Sequence, residues 1–163
     1  MYKPAFFFIV FVLLSIYGID YSKTAVAGPR FTDNGDGTVT DHKLGLMWAK
    51  SDNQGNIEWK QAEQWAKYHF AKTIKSKYTN WRLPTIEELR SLYVNRIKYK
   101  GYITDCGLLV KIVPEIKLSC ILLWSSETAL GAHLAFNFNI GDSFTVPTYD
   151  TSGCRVLSVR SLK

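Results

Sequence analysis

The alternation of apolar and polar residues changes period several times along the chain. Residues 30–50 predict short strands and tight turns: Asp33-Asn34-Gly35-Asp36-Gly37 is rich in residues that accept a positive φ, and the β-branched Thr38-Val39-Thr40 follows. A second turn, Asp41–Gly45, leads to the apolar strand Leu46–Ala49. The first part of the domain is therefore expected to be β structure.

The pattern then changes to helical spacing. Between Glu58 and Ser76 the apolar residues recur every three or four positions from Trp59 onward, so they fall on one face and indicate a helix packed on the core. A second, shorter helix is predicted after Pro84. Thr85 and Glu88 have the spacing of a capping box, in which each satisfies a backbone N–H of the other.

The remaining segments favour strands. Residues 95–123 are irregular, whereas Leu134–Ile140 alternates apolar and polar residues, and Val156–Leu162 suits a closing strand. Two helices among scattered short strands predict an α+β fold in a single domain.

The first 27 residues of the 163 have the pattern of a secretory signal peptide. Lys3 precedes the mostly apolar run Ala5–Ile19, and Ala25-Val26-Ala27 forms a small-x-small cleavage site before Gly28. The run is shorter than the about 20 residues of a membrane span. We expect residues 1–27 to be removed, leaving a domain of residues 28–163 without a membrane span; an uncleaved anchor is the alternative.

Export favours disulfide formation. The chain has three cysteines, Cys106, Cys120 and Cys154, which allow three single pairings. Cys106 and Cys120 bracket a loop-like stretch, and closing about 15 residues would stabilise the fold by roughly 3 kcal/mol. We favour that pair, which leaves Cys154 as a buried thiol or an intermolecular partner.

Metal and enzyme chemistry find little support in the sequence. No spacing of Cys or His typical of zinc is present, and the acidic turn Asp33–Asp41 does not fit the calcium-loop register, so a hairpin turn is favoured over a calcium site. Nucleophile-elbow, phosphate-loop and zincin motifs are missing, and Glu88 is expected to cap a helix. We expect no enzymatic activity, no metal and no cofactor.

Five short motifs, in order, resemble one family. They are Asn34–Asp41, Gly45–Trp48, the helix from Trp59, Trp81–Leu89, and Trp124–Ser126, with a looser match at Val156–Arg160. The chain is similar over nearly all of residues 28–163 to the C-terminal domain of Legionella collagen-like protein, a domain of unknown function.

The resemblance implies a C-type-lectin-like fold related to that of formylglycine-generating enzymes. Its N- and C-terminal strands pair, two helices flank a small, mostly antiparallel sheet, and long loops carry ligand contacts. Relatives are typically exported, and some act in adhesion or bind sulfated polysaccharides. Many relatives have a cysteine pair where this chain has His69 and Ser158, which implies that one bridge is lost here.

Positive charge is concentrated in the middle of the chain. Residues 67–100 contain nine basic and two acidic residues, whereas the whole chain carries +6. Such a patch attracts polyanions, although a solvated helix face and a soluble loop are the plainer interpretation. The candidate binding residues are Lys72, Lys75, Lys77, Arg96, Lys98 and Lys100.

Residues of the shared motifs are expected to be structural. Trp48, Trp81 and Trp124 are interpreted as core residues, the alternative being an exposed indole that stacks on a sugar. Arg82 is expected to bridge Glu87 or Glu88.

The sequence therefore predicts an exported, periplasmic or cell-surface binding or adhesion module. Its expected partner is an anionic surface polymer such as a sulfated glycan. The alternative is a protein–protein interaction or assembly module. The sequence does not specify an oligomeric state.

Overall fold

The computed structural model describes residues 28–75, 77–95, 99–147, 149–150 and 153–163. The predicted signal peptide, residues 1–27, lies outside them, as do Ser76, Arg96 and Lys98. The described chain is α+β, as predicted, with two helices and mostly antiparallel sheets. No helix within these ranges is long and apolar enough to cross a membrane.

The elements follow one another in chain order. The strands and helices are β1 (Phe31–Asp33), β2 (Thr38–Asp41), β3 (Leu46–Ala49), α1 (Trp59–Gln64), α2 (Ile86–Leu92), β4 (Tyr102–Ile103), β5 (Leu109–Val110), β6 (Leu122–Ala129), β7 (Ala132–Asn137), β8 (Asp142–Val146), β9 (Cys154–Arg155) and β10 (Val159–Ser161).

The first sheet has the strand order β1-β2-β3-β10, and all its pairs are antiparallel. Both predicted turns are present as the β1–β2 and β2–β3 connections. The closing strand β10 pairs with β3, so Val159 lies opposite Trp48. The first and last described strands thus share one sheet, but they do not pair with each other as the resemblance implied, because β2 and β3 lie between them.

A second sheet has the order β8-β7-β6-β9, in which β6 and β9 are parallel, and β4 and β5 form a separate two-stranded ribbon. The strand expected at Leu134–Ile140 is β7, which begins at Ala132 and ends at Asn137. The strand expected at Val156–Leu162 is shorter, since only Val159–Ser161 pairs.

The first helical segment is less regular than its sequence pattern predicts. Helix α1 covers Trp59–Gln64, then Trp65–His69 forms a π-helical turn and Phe70–Lys72 a 3-10 turn. The prediction of one uniform helix was therefore wrong after Gln64. The change of pitch places Phe70 edge-on to Trp81, with ring centroids 4.5 Å apart.

The core consists of two apolar clusters. The larger joins residues of the first sheet to α2 and to strands β6 and β7, on which α2 packs, and includes Trp48, Trp81 and Phe136. The smaller surrounds Trp124 and includes Ala62 of α1. Trp48 and Trp124 are fully buried, and Trp81 is 2% exposed. The indoles of all three motif tryptophans belong to the core, which leaves no open face for a sugar.

Candidate functional site: the Lys117 groove

Two hollows join on the surface where Ser51 and Lys117 meet in a parallel bridge. The first, about 500 Å³, extends from there to Trp65 and Ile74, and the second, about 260 Å³, extends to Tyr102. Both are lined by Ser51, Asp52, Gln54 and Lys117. We call the two hollows together the Lys117 groove.

Backbone hydrogen bonds fix the centre of the groove. The Lys117 N–H donates to the Lys50 carbonyl at 2.9 Å, and the Asp52 N–H donates to the Lys117 carbonyl at 3.3 Å. The Lys50 N–H in turn donates to the carbonyl of Gly37 in the β1–β2 turn. Lys50 and Lys117 therefore project from adjacent backbones, although 66 residues separate them in the chain.

The floor of the groove is a buried polar network. The Asp52 carboxylate accepts from the Ser119 N–H at 2.7 Å, from the Ser119 hydroxyl at 2.9 Å and from the Gln54 N–H at 2.9 Å. Burial raises the pKa of Asp52, and the hydrogen bonds from Ser119 oppose that rise. Arg155 Nε donates to the Ser119 hydroxyl at 3.0 Å. The carboxylate of Asp52 is thus bound by the protein itself.

The disulfide predicted between Cys106 and Cys120 is present, and it joins the two segments, 102–105 and 117–119, that line the second hollow. Cys120 directly follows Ser119, so the cross-link anchors the segment that holds the floor network. Cys154 is a free, buried thiol, and burial raises its pKa to about 12. The intramolecular pairing expected from the sequence is therefore confirmed.

Two of the predicted lysines flank the first hollow. Lys72 and Lys75 are exposed, and the residues between them, Thr73 and Ile74, line its wall. A Cβ on Gly37, where φ is +97°, would lie 3.0 Å from Ile74 Cγ2, so the absence of a side chain there allows this close approach. The Lys75 N–H also donates to the Asp36 carbonyl at 3.3 Å.

The other four predicted binding residues are not shown to line the groove. Lys77 is exposed beyond the 3-10 turn, and Lys100 is exposed two residues before Tyr102 in the chain. Arg96 and Lys98 lie outside the described residues. Lys117 lines both hollows of the groove, and Lys50 lines the first.

Lys50 and Lys117 were not among the binding residues predicted from the sequence. Each is isolated among neighbours that gave no charge run, and their proximity depends on a contact between distant segments. Lys50 could have been noticed from its place directly after the β3 motif, but nothing in the local sequence indicates Lys117.

The predicted capping residues stabilise α2 and do not line the groove. Thr85 accepts from the Glu88 N–H at 3.1 Å, and the Glu88 carboxylate accepts from the Thr85 N–H at 2.8 Å. Arg82 holds the same carboxylate through two contacts of 2.8 and 2.7 Å. The carbonyl of the buried Pro84 accepts from the Ser126 N–H at 2.8 Å. These residues form a structural unit.

Other hollows offer fewer available charges. One of about 580 Å³ contains Arg30, whose guanidinium already binds the Asp41 carboxylate at 2.7 Å. Another hollow, of about 310 Å³, is lined by Trp59 and Arg82. The His133 ring stacks on the Trp59 ring with centroids 3.7 Å apart, and Arg82 forms an ion pair with Glu88. The Lys117 groove is therefore the best candidate site in the part of the chain that the structure describes.

The aspartates of the acidic turn Asp33–Asp41 are bound by groups of the protein itself. Asp33 accepts from the Gly35 N–H and pairs with Lys50, and Asp36 accepts from the Thr38 N–H and hydroxyl. Asp41 is held by Arg30. Within the described ranges, no group of three or more His, Cys, Asp or Glu side chains is placed to hold a metal ion.

The fold and groove define a small α+β domain with a cationic surface cleft and a disulfide-anchored wall. The family model of the Lcl C-terminal domain matches residues 37–160, and the chain belongs to this family. No curated protein sequence and no solved structure matches the chain. The family resemblance expected from the sequence motifs is therefore confirmed.

Proposed function

We propose that this protein is an exported, non-catalytic binding module with a C-type-lectin-like fold, whose ligand is an anionic surface polymer such as a sulfated glycan. The observation that carries the proposal is the series of cations along the Lys117 groove. Lys50 and Lys117 line it, Lys72 and Lys75 flank its Thr73–Ile74 wall, and Lys100 is exposed two residues before Tyr102 in the chain.

The groove also offers the other contacts that an acidic saccharide needs. Trp65 and Ile74 form an apolar wall, and Ser51, Asn53 and Thr73 are polar residues along the same hollow. Sites for small ligands combine such apolar walls with a few polar groups and usually measure about 300–1,000 Å³. One or two sugar units of a longer chain therefore fit the first hollow.

Retention on immobilised heparin tests this function. The protein should elute in a salt gradient, because contacts to a polyanion weaken as ionic strength rises. The Lys72→Glu/Lys75→Glu variant should elute at markedly lower salt. A Lys43→Glu/Lys60→Glu variant, with the same change in net charge at two other exposed lysines, is the control. Equal elution of the two variants would remove the proposed surface.

Export is supported by the leader pattern and by the disulfide, since such bonds persist in oxidising compartments. The intact mass of protein recovered from outside the cytoplasm should correspond to a chain that begins at Gly28 or close to it. A mass that still includes residues 5–19 would contradict cleavage.

One observation favours the alternative, a protein–protein module. Leu130 is fully exposed at the tip of the β6–β7 hairpin and has a φ of +53°, which is unfavourable for leucine. An apolar side chain kept there at a cost in stability is suited to insertion into a partner. Binding that does not change with salt and that is lost in Leu130→Asn would favour this alternative over a polyanion.

A further inference from the structure

Lys50 is paired with an acidic residue of the same chain. Its Nζ lies 2.5 Å from Asp33 Oδ2, across from the end of β1. The Lys50 side chain is 45% exposed and that of Asp33 is 43% exposed. The hydrogen bond from Lys50, followed by that from the Gly35 N–H, lowers the pKa of Asp33, so Asp33 is a carboxylate at neutral pH. An exposed pair of this kind is weak and can exchange with an external anion.

Lys117 provides a second cation on the backbone segment that is hydrogen-bonded to Lys50. Its Nζ lies 4.6 Å from the centre of the Tyr102 ring, and the described residues give it no ion pair. The backbone bond between Lys117 and Lys50 and the Ser119–Asp52 network fix the backbone positions from which both lysine side chains extend before any ligand arrives. Such preorganisation reduces the entropy lost on binding.

Resting on the anionic-polymer function proposed above, we propose that an anionic group of the ligand replaces the Asp33 carboxylate on Lys50 while the same ligand chain extends to Lys117. Asp33 is then an internal competitor that lowers the affinity of the groove. The exchanged group is a compact oxyanion, either the sulfate ester or the carboxylate of an acidic saccharide, because it must occupy the position of a carboxylate.

Asp33→Asn isolates this competition. Asparagine keeps a side-chain oxygen that can accept from the Gly35 N–H, so the turn is preserved, while the ion pair with Lys50 is lost. The matched control is Asp142→Asn on β8. Asp142 is also exposed and also pairs weakly, with Arg90 at 3.7 Å, and its removal changes the net charge equally.

Calorimetric titration with a heparin-derived hexasaccharide and with an oligogalacturonate of equal length, both at low salt, tests the proposal. Asp33→Asn should tighten binding by about 1.5-fold to 5-fold, the range expected from removing a competing exposed ion pair. Lys50→Gln and Lys117→Gln should weaken binding, and Asp142→Asn should bind as the wild type does. If Asp33→Asn tightens binding of the hexasaccharide alone, the exchanged group is a sulfate. If it tightens binding of both oligosaccharides, the site accepts either oxyanion.

The double variant Asp33→Asn/Lys50→Gln is the decisive comparison. The gain from Asp33→Asn should vanish when Lys50 is absent. A gain that persists without Lys50, or that equals the effect of Asp142→Asn, would overturn the exchange. If heparin retention still depends on Lys72 and Lys75 in that case, the proposed function survives. Failure of the wild type to bind either oligosaccharide would reject both.

Discussion

The Glu88 carboxylate joins a helix cap to an ion pair, so Glu88→Ala should lower the free energy of unfolding by about 2 kcal/mol at neutral pH. The variant removes the acceptor for the Thr85 N–H, a cap worth about 1 kcal/mol. It also removes the two-contact pair with Arg82, whose side chain is 41% exposed. We count that screened pair as about 1 kcal/mol, the upper end for exposed pairs.

The effect of Glu88 should depend on pH. Burial tends to raise its pKa, but the hydrogen bonds and charge of Arg82, together with Thr85, hold the pKa below the usual 4.5. A carboxyl group whose pKa is lower in the folded state than in the unfolded state stabilises the fold at pH values above its unfolded-state pKa. This contribution disappears as the pH falls through the folded-state pKa. The difference between wild type and Glu88→Ala should therefore shrink below pH 4.5.

Urea unfolding followed by tryptophan fluorescence, near neutrality and at about pH 3, measures both effects. Glu87→Ala is the control, because Glu87 lies beside Glu88 but is 81% exposed. It should change stability by less than about 0.5 kcal/mol. A Glu88→Ala variant within that margin of the wild type would refute the role of the cap and pair, and an equal loss at both pH values would refute its electrostatic part.

Three further predictions concern the cysteines and the exposed hairpin. Replacing Cys106 and Cys120 by alanine should cost about 3 kcal/mol, and a urea midpoint of the wild type that does not change with reductant would contradict this. Cys154 should react with a thiol reagent only in denaturant, because burial raises its pKa to about 12; rapid labelling of the folded protein would contradict its burial. Leu130→Gly should raise the thermal midpoint, since the left-handed conformation suits glycine and the fully exposed side chain packs on nothing; a lower midpoint would show a missed contact.

Features encoded by short spacings were predictable. The capping box depends on two residues three positions apart, and the β1–β2 and β2–β3 turns depend on adjacent residues that accept a positive φ. Burial of Trp48, Trp81 and Trp124 followed from their size and apolar neighbours. The break after Gln64 was not predictable in this way, because the π-helical turn keeps apolar residues near helical spacing while Phe70 adjusts to Trp81.

The sequence by itself determined the family, the α+β class, the disulfide and the concentration of lysines between residues 67 and 100. Only the tertiary structure decided that Lys50 lies beside Lys117, that Asp33 pairs with Lys50, and that β10 pairs with β3. The physical reason is the range of the interactions. Caps and turns are satisfied within a few residues, whereas a groove forms where distant segments cross, and its charges are set by the packing of the whole domain.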